Sequence, residues 1–275
     1  MTRHARPLAL GGLAAASAAA ACAPPALQLA FAIVAIGIVG MAHGASDLAI
    51  VPPARRPGFV AAYLLVLGAC LLWWAWRPAM ALPLFMAASA LHFALEDAPG
   101  HPVWEQAARG IAMIALPAAL HLPQYTAVLA AAGGPSGAWA PLAAMLGAAG
   151  GVSGAVLLGL AWRRRDPRLL GGVVALLALP PLVGFSVGFL VLHALPQTAA
   201  RQAMLGCRSL TGYLRATGPV LLLAVALAAA IGLWLLPADQ TGIRPLFAAI
   251  AALAMPHLLV TPCFEAAALP APRGG

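Results

Sequence analysis

The feature that most constrains this chain is the repetition of long apolar runs. "ALQLAFAIVAIGIVGMA", "GFVAAYLLVLGACLLWWAW", "AWAPLAAMLGAAGGVSGAVLLGLAW", "LLGGVVALLALPPLVGFSVGFLVLHAL", "GPVLLLAVALAAAIGLWLL" and "IRPLFAAIAALAMPHLLV" each approach or exceed the roughly 20 residues that cross a bilayer core. Lipid offers backbone amides no partner, so a spanning segment must close its own hydrogen bonds, and helices do this within one segment. The expected fold class is therefore all-α, a polytopic integral membrane helix bundle of about 8–9 transmembrane helices. Charge is correspondingly scarce: 8% of residues are charged, against about 25% in soluble domains.

The apolar periodicity predicts helices near 27–50, 58–76, 79–97, 104–121, 138–162, 168–198, 217–236 and 243–264, with a partial or interfacial segment at 123–133. Residues 1–25 combine a basic start with an Ala-rich apolar stretch, and read as either a signal peptide or an extra helix. Residues 26–265 are expected to form a single transmembrane helical domain, and 266–275 a C-terminal tail. Between 199 and 216, Arg201, Arg208 and Arg215 recur at sevens among apolar residues, a pattern that predicts an amphipathic helix lying on the membrane surface.

The formal charge is +8, carried entirely by arginine. The arginines fall in short clusters between apolar runs, such as "PARRPG" and "WRRRDPR", as loops do under the positive-inside rule. That distribution predicts the lipid bilayer as partner and no nucleic acid. The four cysteines are far apart and form no CxxC pair, so neither a zinc ribbon nor a disulfide framework is expected. They read as small packing residues.

Polar groups inside spanning helices are costly and stand out as functional candidates. Of seven histidines, His4, His101 and His121 fall in a tail, a loop and a helix end. His43 ("GMAHGASD"), His92 ("SALHFALED"), His193 ("FLVLHALPQ") and His257 ("AMPHLLV") instead lie in four different predicted helices among apolar neighbours. Neutral imidazole is the commonest protein metal ligand, and helix bundles build such sites from facing helices. The alternative for each ring is an interhelical hydrogen bond. Asp47, at i+4 from His43, shares that histidine's helix face and is placed to receive its outer ring N–H. Asp97, five residues after His92, serves that ring or a histidine on another helix. The competing account makes Asp47, Glu96 and Asp97 ordinary helix-end charges near water.

These residues resemble the Brp/Blh family of membrane β-carotene 15,15'-dioxygenases. The resemblance rests on "HGASD" at 43–47, "SALHFALED" at 89–97, the aromatic and aliphatic run "PPLVGFSVGFLVLH" ending at His193, and "MPHLLV" around His257, in the family's order. It implies that His43, His92 and His193 bind a catalytic ferrous iron, Fe(2+), with His257 in or near the same site. It further implies oxidative cleavage of a carotenoid substrate by O2 to retinal-type aldehydes, a rhodopsin-type retinal acceptor as a downstream partner, and residence in a bacterial or archaeal-type inner membrane. One position departs from the family pattern: Gln197 stands where a further histidine is expected four residues after His193. Gln197 is accordingly placed with Asp47 and Asp97 behind the metal ligands, or as a weak oxygen ligand.

Helix directions add a condition. The four rings can share an ion only near mid-membrane, each within about 6 Å of its helix centre at 1.5 Å rise per residue, unless Pro180 and Pro181 break the long helix at 168–198. Phe93, Phe185, Phe189, Trp73, Trp74 and Met255 are candidate lining residues of a substrate channel, with core packing as the alternative. Two other classes fit histidines in a membrane bundle: a transporter or metal permease, and a haem-binding subunit with paired axial histidines.

Overall fold

The computed structural model describes residues 5–265; His4, Arg3 and the expected tail at 266–275 lie outside them. Eleven helical segments follow one another: α1 (Ala5–Ala21), α2 (Pro25–Ile50), α3 (Pro53–Trp76), α4 (Pro78–Glu96), α5 (Val103–Leu120), α6 (Leu122–Gly133), α7 (Trp139–Arg164), α8 (Pro167–Ala178), α9 (Pro181–Met204), α10 (Leu210–Leu235) and α11 (Ile243–Glu265). No strand occurs among the described residues. Seven of these helices are long and apolar enough to cross a membrane, and eight if the pair α5 and α6, bent by 116°, counts as one span. Side chains such as Leu65, Trp76, Leu222, Leu223 and Trp162 stand exposed on the outside. An exposed apolar surface of this extent suits lipid and not water. The chain is an integral membrane protein.

Proline sets many of the boundaries. It opens α2, α3, α4, α8 and α9, where its missing N–H would have had no partner in any case. Polar caps start others: the Asp166 carboxylate accepts from Arg168 N and Leu169 N at 3.0 Å, and Ser209 Oγ accepts from Gly212 N at 3.1 Å. Two expectations are corrected here. The single helix at 168–198 is divided, because Leu179 is extended and Pro180–Pro181 cannot continue the turn. The surface helix at 199–216 does not form: α9 runs on through Arg201 to Met204, and α10 begins at Leu210. Arg201 is buried and paired with Glu265 at 2.8 Å, so the spacing of arginines marks no water-facing stripe.

Packed neighbours close into a circuit, α2 to α9, α9 to α8, α8 to α5, α5 to α4, α4 to α3, α3 to α11, α11 to α10 and α10 back to α2, while α7 backs α5 and α8. α1 joins at Ala20, beside Ala175, Val183 and Val187. The closest approach is on the α4–α5–α7 side. A Cβ at Gly150 of α7 would overlap the backbone of Ala115, and one at Gly110 of α5 would overlap the Ala90 carbonyl. Small residues at such crossings let helix backbones touch in the absence of a hydrophobic drive. Cys70 and Cys207 are half-buried, whereas Cys22 and Cys263 are exposed and so do not pack.

The ends of α5 and α7 are clamped by one carboxylate. Glu105, fully buried, accepts from Arg164 through both oxygens at 2.6 and 2.7 Å and from Arg109 at 2.9 Å. Removing the carboxylate takes the acceptor from the mostly buried Arg109, whereas Arg164, 40% exposed, is left to water. Glu105→Ala should therefore destabilise the protein by about 1–3 kcal/mol, read as a lowered melting temperature in detergent, with the exposed Arg163→Ala as the unchanged control.

Candidate functional site

The four intramembrane histidines meet. Ring centroids lie 4.9 Å apart for His43–His193, 5.1 Å for His193–His92, 5.3 Å for His92–His257 and 5.3 Å for His257–His43. Each ring therefore has two neighbours in a closed set of four, drawn from α2, α4, α9 and α11. Each pair sits edge to face, at interplanar angles of 66–86°. α9 continues to Met204, past the expected end at 198, which moves His193 away from the helix end, whereas α11 ends at Glu265, within a residue of the expected end.

Hydrogen bonds fix three of the rings from behind. His193 Nδ1 bonds Asp97 Oδ1 at 2.7 Å, His257 Nδ1 bonds Asp47 Oδ2 at 2.6 Å, and His43 Nδ1 bonds the Gly40 carbonyl at 2.6 Å. A carbonyl or a carboxylate can only accept, so each Nδ1 carries the proton and each Nε2 keeps its lone pair. His257 Nε2 is buried with no partner among the described residues. This is the arrangement in which metal-binding histidines are held, and an orphaned buried nitrogen lone pair is what an ion would satisfy. Imidazole donors suit iron, copper or zinc.

Local backbone geometry delivers the rings. α2 leaves the α-helical form in a π turn at Ala35–Val39, followed by 3₁₀ turns at Gly40–Ala42 and Gly44–Ser46 that flank His43. α9 carries a π turn at Phe189–Ala194 that contains His193. The Tyr213 hydroxyl, on α10 and fully buried, donates to the Ala42 carbonyl at 2.7 Å and pins the turn before His43.

The histidines stand at one wall of a cavity with about 1500 Å³ of empty space, part of it open to the outside, lined from α2 to α6 and α9 to α11. Phe93, Phe185 and Phe189 line it, as expected, and form an aromatic run beside the rings: Phe93–His193 4.8 Å, Phe189–His193 5.4 Å, Phe185–Phe189 5.9 Å. Gly40 makes room for this, since a Cβ there would strike the Phe189 ring. Trp73, Trp74 and Met255 do not line it. Trp74 is buried against Phe85, and Trp73 is turned outward. Met41, Phe85, Tyr125 and Phe247 line it instead.

Two further placements differ from the sequence-based expectation, and a third decides between its alternatives. Asp47 does not serve His43, its i+4 neighbour; it reaches across to His257 and also accepts from the Thr261 hydroxyl at 2.8 Å. Asp97 takes the second of its two expected roles, serving His193 on another helix and not His92. Gln197 does not face the rings: its amide donates to the Glu96 main-chain carbonyl at 3.2 Å, closing the end of α4. Glu96 itself was read only as a helix-end charge, yet His92, Glu96 and His193 bring donor atoms within 4.8 Å of one another. Its spacing, four residues after His92, was the available signal. Of the other histidines, His121 bonds the Ala178 carbonyl at 3.2 Å at the bend between α5 and α6, and His101 lies 3.8 Å from Glu105.

Fold and site together define a polytopic membrane protein with a histidine and carboxylate centre opening on an apolar cavity inside the bundle. The family model for beta-carotene 15,15'-dioxygenase matches residues 34–265, a range that includes all four histidines and all three carboxylates, and the chain belongs to that family. No curated protein and no solved structure gives a significant match.

Removing the hydroxyl of Tyr213 takes this donor from the Ala42 carbonyl. Tyr213→Phe should cost about 1 kcal/mol and raise hydrogen exchange at the amides of Gly44 to Asp47, measured by mass spectrometry on the purified protein.

Proposed function

We propose that the protein is an iron-dependent enzyme that cleaves β-carotene or a related carotenoid with O2, within the membrane, to give retinal-type aldehydes. The observation that carries this reading is the closed set of four imidazoles at the wall of an apolar cavity; the family membership supports it. His43, His92, His193 and His257 would hold the ion. Ferrous iron, when bound, supplies the O2 chemistry that the side chains lack.

The chain's own residues do the rest. The cavity takes up a long hydrocarbon from the bilayer without desolvating any polar group on it, and Phe93, Phe185 and Phe189 offer flat faces against which a polyene lies beside the rings. Asp47, Asp97 and the Gly40 carbonyl keep a proton on Nδ1 of their histidines, so that each Nε2 stays a donor of electrons. The hydroxyls of Tyr63 and Tyr125 on the cavity wall donate to the Leu253 and Ile114 carbonyls, which keeps water-binding groups turned away from the substrate. Cleavage adds one oxygen atom of O2 to each carbon of the broken double bond, so two aldehydes account for both atoms. A rhodopsin-type acceptor would consume the retinal, and the enzyme would reside in a bacterial or archaeal-type inner membrane. A haem subunit is disfavoured, because each histidine has two others within 5.3 Å, a convergence on one point, whereas paired axial histidines stand on opposite faces of a macrocycle.

Expressed in cells that accumulate β-carotene, the wild type should bleach the orange colour and yield retinal, and His43→Ala should leave the colour unchanged at equal protein in the membrane. Bleaching by His43→Ala equal to wild type, or none by either, overturns the reading. Asp97→Asn should lower iron affinity by about 10–100-fold, measured by competition with a chromophoric chelator.

A further inference from the structure

Three carboxylates surround the histidines, and one of them is placed unlike the other two. Asp47 and Asp97 lie behind their rings, bonded to Nδ1. Glu96 is hydrogen-bonded to no ring: its Oε2 is 3.6 Å from Nε2 of His92. That separation is too long for a hydrogen bond, and Oε2 is buried with no partner among the described residues. Two donors held by one ion at about 2.1 Å each stand roughly 3 to 4 Å apart. The distance is therefore that of two ligands sharing an ion.

We propose that Glu96 is itself a ligand of the metal, bound with His92 and His193, so that the centre is a mixed imidazole and carboxylate site. The inference rests on the metal reading above and adds a ligand to it. His92 and Glu96 are one helical turn apart and project from the same face of α4, as two ligands from one helix must. The donor atoms of His92, Glu96 and His193 lie within 4.8 Å of one another. Glu96 is the last residue of α4, where a helix end frays, and two contacts hold it: its N-terminal neighbours in the helix, and the Gln197 amide on its carbonyl at 3.2 Å. Gln197 thus acts as a positioning residue that fixes the turn bearing the carboxylate, and the loss of an imidazole at 197 is compensated by an oxygen ligand at 96. An anionic ligand also offsets part of the charge of a divalent ion in low-dielectric surroundings, which neutral histidines alone do not.

The test uses Co2+ as the probe on the purified full-length protein in lipid nanodiscs, without O2 or carotenoid. Wild type should take up one Co2+ per chain, followed by its visible absorption. Glu96→Gln should bind Co2+ about 10-fold or more weakly, with altered visible bands. Glu96→Cys should gain a thiolate-to-cobalt charge-transfer band in the near ultraviolet that wild type lacks, although wild type carries four cysteines of its own. Wild-type affinity in Glu96→Gln, with no such band in Glu96→Cys, overturns Glu96 as a ligand and leaves the four-histidine centre standing. Absence of Co2+ binding by wild type overturns the metal reading and this inference with it. Should Glu96→Cys fail to accumulate, the affinity of Glu96→Gln decides alone.

Discussion

Two buried hydrogen bonds, Asp97 to His193 and Asp47 to His257, hold the bundle's centre together. A carboxylate inside a membrane protein is tolerated only when something buried donates to it, and an imidazole N–H does so here. The pairing is crosswise. α2 supplies His43 and also Asp47, which secures the ring on α11; α4 supplies His92 and, in the residue just past its end, Asp97, which secures the ring on α9. Each early helix thus presents one ring to the centre and locks a second ring on a late helix. Withdrawing either late helix would strand a carboxylate in apolar surroundings, so the same bonds that orient the histidines bind the N-terminal half of the chain to the C-terminal half.

The fold was legible because its signal is long-range hydropathy, which does not depend on which helix touches which. Proline opens five of the eleven helices. What misled was local periodicity in places where tertiary partners overrule it. Arg201, read as part of a surface stripe, finds Glu265 and turns inward. Asp47, read from i, i+4 spacing as the partner of His43, finds His257 across a helix interface. Spacing along one helix reports which residues share a face; it carries no information on which neighbour that face meets. For the same reason the four histidines could be singled out as polar residues in apolar company, while their convergence, and the part of Glu96 and Tyr213 beside them, needed the packing of distant helices.

Departures from regular helix geometry recur at the site. Both α2 and α9 carry a π turn close to a histidine, and π turns inside longer helices concentrate at functional positions. The cause is visible in the side chains. Inserting a residue into a helix rotates everything after it, and in α9 the turn contains both Phe189, stacked on Phe185, and His193, stacked 30° from Phe189. An ideal helix would separate these faces differently, by 3.6 residues per turn. In α2 the irregular stretch is stabilised from outside by Tyr213, which occupies the Ala42 carbonyl, and from within by His43 itself, which bonds the Gly40 carbonyl. The ring that faces the centre therefore also repairs the backbone that delivers it.

The walls of the cavity differ in stiffness in a way that follows from residue size. On the α4–α5–α7 side, Gly110 and Gly150 bring backbones into contact, and Glu105 clamps the helix ends with Arg109 and Arg164. Backbone contacts of this kind leave little freedom to shift. Opposite, α10 is the least buried of the spanning helices, and it meets the cavity only through Val220 and Ala224. α4, which carries His92 and Glu96 and is followed directly by Asp97, is thus fixed to the rigid side. A long hydrophobic molecule entering from lipid would displace the outer wall, and His92 and Glu96 on α4 would keep their positions. The polar groups of α4 are thus anchored to the tightly packed helices, while the adaptable surface on α10 is left to Val220 and Ala224, whose side chains make no hydrogen bonds.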